Sequence, residues 1–110
     1  AANLDAAGVE AGKLGVKIAI GNVHIFDSDM SLMRDLLGAV KSPNVGFCLD
    51  SGHAHCRGTD VLEWIEVFGN RLFTTHFHDN RGKADEHLPP GFLRLFLKIG
   101  LFLCVGQKPF

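Results

Sequence analysis

The sequence has few cysteines, almost no net charge and no long apolar run. Its three cysteines, Cys48, Cys56 and Cys104, are odd in number and form no C-x-x-C pair, which favours reduced thiols in a cytoplasm. The formal net charge is −1 and the basic residues are scattered, which argues against a nucleic-acid partner. Apolar stretches such as 101–105 are too short to cross a bilayer, and the amino terminus lacks the pattern of a signal peptide. We therefore expect a cytoplasmic protein with no membrane partner.

The remaining pattern is an alternation of helices and short strands. With 110 residues, 46% of them hydrophobic, the chain suits one globular domain over 1–110. Helical connections between successive strands imply a parallel sheet covered by helices. In order, we predict a helix at 3–13, a strand at 16–20, a helix capped by Ser28 or Asp29 and running to about 40, a strand at 45–49, a helix opening at 58–60, a strand at 72–76, a helix at 92–99 and a strand at 101–105.

Each of the first three predicted strands has one large apolar face and one face of mostly smaller residues. Asp50 and His76 lie on the small face at the carboxyl end of their strands, and Gly21 occupies the equivalent place on the first strand. Such faces suit the outside and the inside of a barrel. A closed (β/α)₈ barrel needs at least ~200 residues. The predicted fold class is therefore α/β, a partial TIM barrel with about four parallel strands, and the chain has the pattern of a fragment.

Potential metal ligands follow two of these strands. One strand runs into Asp50-Ser-Gly-His53, and the next runs into His76-Phe-His78-Asp79, with Asp85-Glu-His87 a few residues later. The carboxyl ends of parallel strands converge on one rim, and neighbouring strands lie ~4.8 Å apart. Imidazoles and carboxylates gathered there are what a divalent metal needs. The sequence therefore predicts a metal site at this rim.

Four segments resemble the xylose-isomerase-like TIM-barrel superfamily, which includes sugar-phosphate isomerases, epimerases and endonuclease-IV-type apurinic endonucleases. They are Gly15-Val-Lys-Ile-Ala-Ile-Gly-Asn22, Pro43-Asn-Val-Gly-Phe-Cys-Leu-Asp-Ser-Gly-His53, Thr75-His-Phe-His-Asp-Asn80 and Asp85-Glu-His-Leu-Pro-Pro-Gly91. The resemblance covers about 8–91, whereas 92–110 diverges from the family. It implies a divalent cofactor (Mn²⁺, Zn²⁺, Mg²⁺ or Co²⁺) and a small-molecule sugar or sugar phosphate as substrate.

The resemblance assigns roles residue by residue. It implies metal binding by Asp50, His53 and His76, and it matches Asp85 and His87 to a further metal-binding pair. The two glutamates with which family epimerases bind metal and move the proton are missing. Gly21-Asn22 replaces the usual Glu-Asn, and no acidic residue follows Glu86.

Several of these residues also have simpler interpretations. Asp50 could cap backbone amides in a turn, and Asp85 and His87 could be a polar pair in a surface loop. His78, a step beyond the strand, suits a supporting or substrate contact. Asn22 and Arg81 could bind substrate hydroxyls or phosphate, or simply lie in a solvated loop. Glu86 is the remaining candidate for a catalytic base.

Three functions remain open from the sequence. The first is a metal-dependent sugar or sugar-phosphate isomerase or epimerase, of which this chain is a fragment inactive alone. The second is an apurinic endonuclease-type phosphodiesterase, whose metals activate water. The third is a non-catalytic pseudoenzyme fragment. Half a barrel would leave two strand edges open, so we also expect self-association or a complementing half-barrel.

Overall fold

A computed structural model describes residues 1–23, 26 and 29–91. The predicted helix at 92–99 and strand at 101–105 lie outside this range. The longest described helix has 12 residues, and no helix in the described ranges has the length and apolarity to cross a bilayer. The elements are α1 (Ala2–Lys13), β1 (Ile18–Gly21), α2 (Met30–Ala39), β2 (Val45–Asp50), α3 (Ser51–Cys56), α4 (Val61–Phe68), a 3₁₀ turn (Gly69–Arg71) and β3 (Leu72–His76).

The three strands form one parallel sheet in the order β1-β2-β3. All six residues of β2, the central strand, are buried. Helices connect the strands, as a barrel segment requires. The prediction of an α/β fold with a parallel sheet and helical crossovers is confirmed for the described residues.

The hydrophobic core lies between one face of the sheet and helices α2 and α4. Phe47 of β2 stacks on Trp64 of α4, with ring centroids 5.5 Å apart and planes 14° from parallel. Both rings are fully buried, and Met33 of α2 is buried in the same cluster. Burying each such side chain stabilises the fold by about 1.5–3 kcal/mol. This packing leaves the other face of the sheet for the site.

Helix starts were well indicated by the sequence. The Asp29 carboxylate accepts hydrogen bonds from the amides of Ser31 and Leu32 at the start of α2. At the start of α4, the Asp60 carboxylate accepts one from the amide of Leu62. Each cap satisfies an amide that has no partner within its helix.

The structure corrects four details. The first strand begins at Ile18, two residues later than predicted, and Gly21 pairs with Cys48 rather than lying level with Asp50. Helix α3 was not predicted, because six residues are too few to show a helical period. The pairing of β3 with β2 skips one residue of β3 between the partner of Phe47 and the partner of Cys48.

That shift exchanges two residues between the faces of the sheet, because strict alternation along the strand predicts Phe73 on its large apolar face and Leu72 on its small face. Leu72 packs against the core, whereas the Phe73 ring lies on the opposite face, where a Cβ added at Gly46 would overlap it. The Lys17 ammonium lies 4.4 Å from the centroid of the Phe73 ring, a cation–π contact. A β-bulge makes this exchange, since it adds one residue to one strand of a pair.

We predict that the isolated chain self-associates at low micromolar concentration. In the described residues β1 and β3 each pair on one side only, and Thr74, Thr75 and His76 are exposed. Unpaired strand edges are templates for pairing with another chain. Sedimentation velocity over a concentration series measures the association. A monomer with one sharp, cooperative thermal transition would contradict the prediction.

Candidate metal centre

The centre begins where β2 and β3 end side by side. Asp50 and His76 are register partners, so their side chains project from the same face of the sheet. The His76 Nδ1 lies 3.5 Å from the Asp50 Oδ2. Asp50 is 4% exposed, whereas the His76 side chain is 70% exposed. The pair therefore has a buried carboxylate and an accessible imidazole.

Helix α3 turns the chain back over Asp50 and brings His53 to it. The Asp50 Oδ1 accepts a hydrogen bond of 2.9 Å from the His53 amide, which caps the helix. The His53 Nδ1 lies 4.0 Å from the Asp50 Oδ2. The Asp50 carboxylate therefore caps helix α3 and also lies beside the imidazoles of His53 and His76.

A loop closed by backbone hydrogen bonds brings Asp85 and His87 to the centre. Asp79 and Leu88 form an antiparallel bridge with two N–H···O contacts of 2.8 Å. Within the loop, the Asp85 Oδ2 lies 3.2 Å from the His53 Nε2 and 2.9 Å from the His87 Nε2. His87 has a φ of 51°, a left-handed conformation that costs a residue other than glycine about 1 kcal/mol or more. The loop therefore holds His87 in a strained conformation at the centre.

His78 lies in the middle of the cluster and is 8% exposed. Its Nε2 is 2.9 Å from the Asp50 Oδ1, and its Nδ1 is 3.5 Å from the Asp85 Oδ1. The ring stacks on His87 with centroids 4.0 Å apart and planes 5° from parallel. Neither ring nitrogen of His78 makes a hydrogen bond, because the short contact to Asp50 lacks hydrogen-bond geometry. A buried polar atom without a hydrogen bond costs about 1–3 kcal/mol, and a cation held between these nitrogens and the carboxylates that face them would offset that cost.

Buried residues that the sequence did not single out hold His78 in place. The Ser51 hydroxyl donates to the His78 carbonyl at 3.0 Å and accepts from the His78 amide at 3.3 Å. The Asn80 side chain donates to the Gly52 carbonyl at 2.8 Å. Gly52 itself has no room for a side chain, since an added Cβ would overlap the His78 ring. In the sequence, Ser51 and Gly52 are indicated only by their position directly after Asp50 at the end of a strand.

We predict that Gly52→Ala destabilises the protein by about 1–3 kcal/mol, the usual cost of overpacking a filled site. The added methyl must displace the His78 ring or helix α3. Urea denaturation measures the stability, and the NMR shifts of the His78 ring report its displacement. Gly38→Ala is the control, because nothing lies within 4 Å of a Cβ added at Gly38 on α2. Equal stability of the two variants would contradict the prediction.

Contacts within the centre shift the pKa values of His53 and Asp85 in the directions that favour their charged forms. Burial alone lowers the pKa of His53, but its hydrogen bond to the Asn22 carbonyl and the nearby carboxylates raise it above the ordinary value. Burial alone raises the pKa of Asp85, yet its contacts with His87 and His53 lower it below the ordinary value. Protons and a cation compete for the same atoms, so metal binding here should weaken as the pH falls.

The other predicted site residues lie around this cluster. Asn22 is fully buried, and its side chain is hydrogen-bonded to the Asp50 backbone. Arg81 and Glu86 form an ion pair, and the second Glu86 oxygen accepts from the Arg81 amide at 2.8 Å. Both Glu86 carboxylate oxygens thus contact Arg81.

The donor set fits a divalent metal. The ligand atoms of His78, Asp85 and His87 lie within 4.8 Å of one another, and Asp50, His53 and His76 adjoin them. Imidazole nitrogens and carboxylate oxygens are the usual protein ligands of Zn²⁺, and carboxylates also suit Mn²⁺ and Mg²⁺. The His78 nitrogens, which face carboxylates but make no hydrogen bond, are the observation that favours a ligand.

A cavity of about 420 Å³ opens beside the centre. Its volume lies within the usual range for small-molecule sites. His53 and Asp85 of the centre line it, together with Val23, Cys56, Arg57, Lys83 and Ala84.

Comparison with known proteins agrees with this architecture. The model of one protein family, described as the xylose isomerase-like TIM barrel, matches residues 1–94. The chain belongs to this family. The solved structure of a D-tagatose 3-epimerase-like protein is similar, with a TM-score of 0.67 and 28% identity over 90% of this chain and 42% of that one. The described sheet and helices are therefore part of a TIM barrel.

Sequence relatives include named isomerases. An inosose isomerase of Bacillus licheniformis is 32% identical over 73% of this chain, and one of Bacillus subtilis is 30% identical over 72%. An uncharacterized protein of Sinorhizobium fredii is 41% identical over 56% of the chain. This xylose isomerase-like chain spans only 20–28% of the length of these relatives.

Proposed function

We propose that this chain supplies the metal-binding rim of a divalent-metal-dependent sugar or sugar-phosphate isomerase or epimerase. The observation that carries the proposal is the buried His78 ring, whose two nitrogens face the Asp50 and Asp85 carboxylates without hydrogen bonds. Family membership and the isomerase relatives supply the reaction class.

The ligands would come from both parts of the cluster. Asp50 and His76 would hold the ion from the strand ends and His53 from helix α3, and Asp85, His87 and His78 would hold it from the loop side. A bound divalent ion would polarise the carbonyl of a sugar. The adjoining cavity would seat the sugar, and Arg57 and Lys83 on its wall suit an anionic group such as a phosphate.

The chain's own residues would mainly bind the metal and orient the sugar, and they would contribute little to proton transfer. Isomerisation and epimerisation need a base beside the carbon next to the carbonyl. Gly21 stands where the resemblance implies a glutamate, and both oxygens of Glu86 contact Arg81. We therefore propose that the chain holds a metal and that proton transfer in the whole enzyme depends on residues beyond it.

Titrating Mn²⁺ into the chain and into Gly21→Glu tests the metal centre. A Cβ added at Gly21 would meet its nearest described neighbours at 3.7 and 3.9 Å, so β1 has room for a side chain that reaches the rim. We expect the wild-type chain to bind Mn²⁺ and the added carboxylate to tighten binding about tenfold, which corresponds to ~1.4 kcal/mol.

Gly38→Glu is the matched control for that titration. It adds the same charge on the exposed surface of α2, where nothing lies within 4 Å of the new Cβ. A general charge effect would tighten binding in both variants alike. No Mn²⁺ uptake by the folded wild-type chain would refute the proposed function. Uptake without a gain in Gly21→Glu would place the end of β1 outside the centre.

A further inference from the structure

The side chain of Asn22 continues the sheet at the point where β1 stops. Backbone pairing of β1 with β2 ends at Gly21 and Cys48, two residues before Asp50. There the chain turns away, and the Val23 amide donates to the Gly21 carbonyl at 3.0 Å. The Asp50 backbone would be left without a partner on this side. It is satisfied by a side chain instead.

Asn22 satisfies both backbone groups of Asp50. Its Oδ1 accepts a hydrogen bond of 2.7 Å from the Asp50 amide, and its Nδ2 donates one of 3.0 Å to the Asp50 carbonyl. Asn22 is 0% exposed. A primary amide has both an acceptor and a donor, so it can replace the backbone of a neighbouring strand. The inaccessible amide therefore acts on the protein itself rather than on a substrate.

The backbone of Asn22 acts on the second predicted ligand. Its carbonyl oxygen lies 3.1 Å from the His53 Nδ1. Because a carbonyl oxygen can only accept, the Nδ1 must carry a proton. The His53 Nε2 faces the Asp85 carboxylate, 3.2 Å away, so it too carries a proton in the charged ring, and it is the nitrogen that would give up its proton to a cation. In metal sites such a second hydrogen bond of a histidine sets its tautomer and ring orientation.

We propose that Asn22 is a positioning residue that aligns Asp50 through its side chain and sets the tautomer of His53 through its main chain. This inference rests on the metal centre proposed above. Its contribution lies in linking the end of β1 to ligands on β2 and α3, so that two ligands from different elements share one support.

The test compares Asn22→Asp and Asn22→Ala with Asn44→Ala. Asn22→Asp keeps the shape and the acceptor for the Asp50 amide, but it places a second acceptor against the Asp50 carbonyl. Asn44 is the matched control, because its Nδ2 donates a similar bond of 3.0 Å to the Gly8 carbonyl beyond the opposite end of β2. Urea denaturation of all three variants measures the loss of stability common to removing such a bond.

Two readouts separate positioning from general stability. The ¹⁵N shifts of the His53 ring, recorded in metal-free protein at a pH above the His53 pKa, report the tautomer of the neutral ring, and Mn²⁺ titration reports affinity. We expect both Asn22 variants to loosen the end of β1, because their side chains no longer hold both backbone groups of Asp50, so that the Asn22 carbonyl moves away from the His53 Nδ1. The neutral His53 ring should then lose its single Nδ1–H tautomer, and Mn²⁺ should bind about 10–100-fold more weakly, as is typical for residues that support metal ligands. Asn44→Ala should keep the tautomer and the affinity. Asn22→Asp preserves side-chain volume, so it decides the matter if Asn22→Ala does not fold.

The opposite results would overturn the inference. A wild-type tautomer and affinity in folded Asn22→Asp would show that Asn22 aligns neither ligand, and equal losses in Asn44→Ala would reduce its role to stability. Should the wild-type chain bind no Mn²⁺, the proposed function fails, whereas the tautomer in metal-free protein still decides whether Asn22 positions His53.

Discussion

Replacing Asp50 with asparagine is expected to weaken divalent-metal binding at least about a hundredfold. The carboxylate lies 2.9 Å from the His78 Nε2, 3.5 Å from the His76 Nδ1 and 4.0 Å from the His53 Nδ1. Asparagine retains an oxygen that can cap the His53 amide, but it loses the charge and one oxygen donor. Removing a residue that only supports metal ligands typically weakens metal binding about 10–100-fold. Removing a proposed ligand at the centre of the cluster should therefore weaken it by at least the upper value.

Calorimetric titration with Mn²⁺ against a competing chelator measures this loss. Asp35→Asn, on the exposed surface of α2, makes the same charge change away from the cluster and should leave the affinity unchanged. Amide hydrogen exchange at the start of α3 shows whether the cap survives. An Asp50→Asn variant with an intact cap and unchanged affinity would remove Asp50 from the centre.

The chain alone is expected to show no isomerase or epimerase turnover, even with metal added. Losing a positioned base typically costs ~10²–10⁴-fold in rate, and this chain has neither of the two glutamates that the family resemblance implies. Glu86 is a poor substitute, because Arg81 contacts both of its oxygens. The assay follows deuterium exchange into a panel of ketoses with Mn²⁺, Mg²⁺ or Co²⁺.

Glu86→Gln and Glu63→Gln make that assay specific. Both remove one carboxylate, but Glu63 lies on the exposed side of α4. Deuterium exchange that is abolished in Glu86→Gln and kept in Glu63→Gln would identify Glu86 as the base. Exchange that persists in both variants would contradict the expected inactivity and point to another base in the chain.

The sheet could be predicted because its determinants are local. Short β-rich runs alternating with helical patterns imply parallel pairing, and that pairing brings the ends of β2 and β3 to one edge. Asp50 and His76 lie close together because each is the last residue of its strand. The start of α2 at Asp29, one of two candidate caps, and the start of α4 after 58–60 were equally readable, since a cap bonds amides only two or three residues away.

The features that sequence reasoning missed depend on contacts between distant residues. The extra residue in β3 became apparent only from its pairing with β2. Helix α3 is held by Asn80, which lies beyond the next strand and donates to the Gly52 carbonyl, and that contact has no periodic signal. Likewise, the amide of Asn22 could not be assigned to the Asp50 backbone until both strand ends were located. Tertiary hydrogen bonds shape the site more than local propensity does.

The short span of chain that carries the cluster has a consequence for folding order. All its proposed ligands lie between Asp50 and His87, and the Asp79–Leu88 bridge closes the last part of that span locally. Closing short loops costs less chain entropy than joining distant segments, and local contacts form faster. We therefore expect this segment to bring its proposed ligands together independently of the rest of the chain, and an ion bound to it would stabilise the folded segment, because metal binding is coupled to folding.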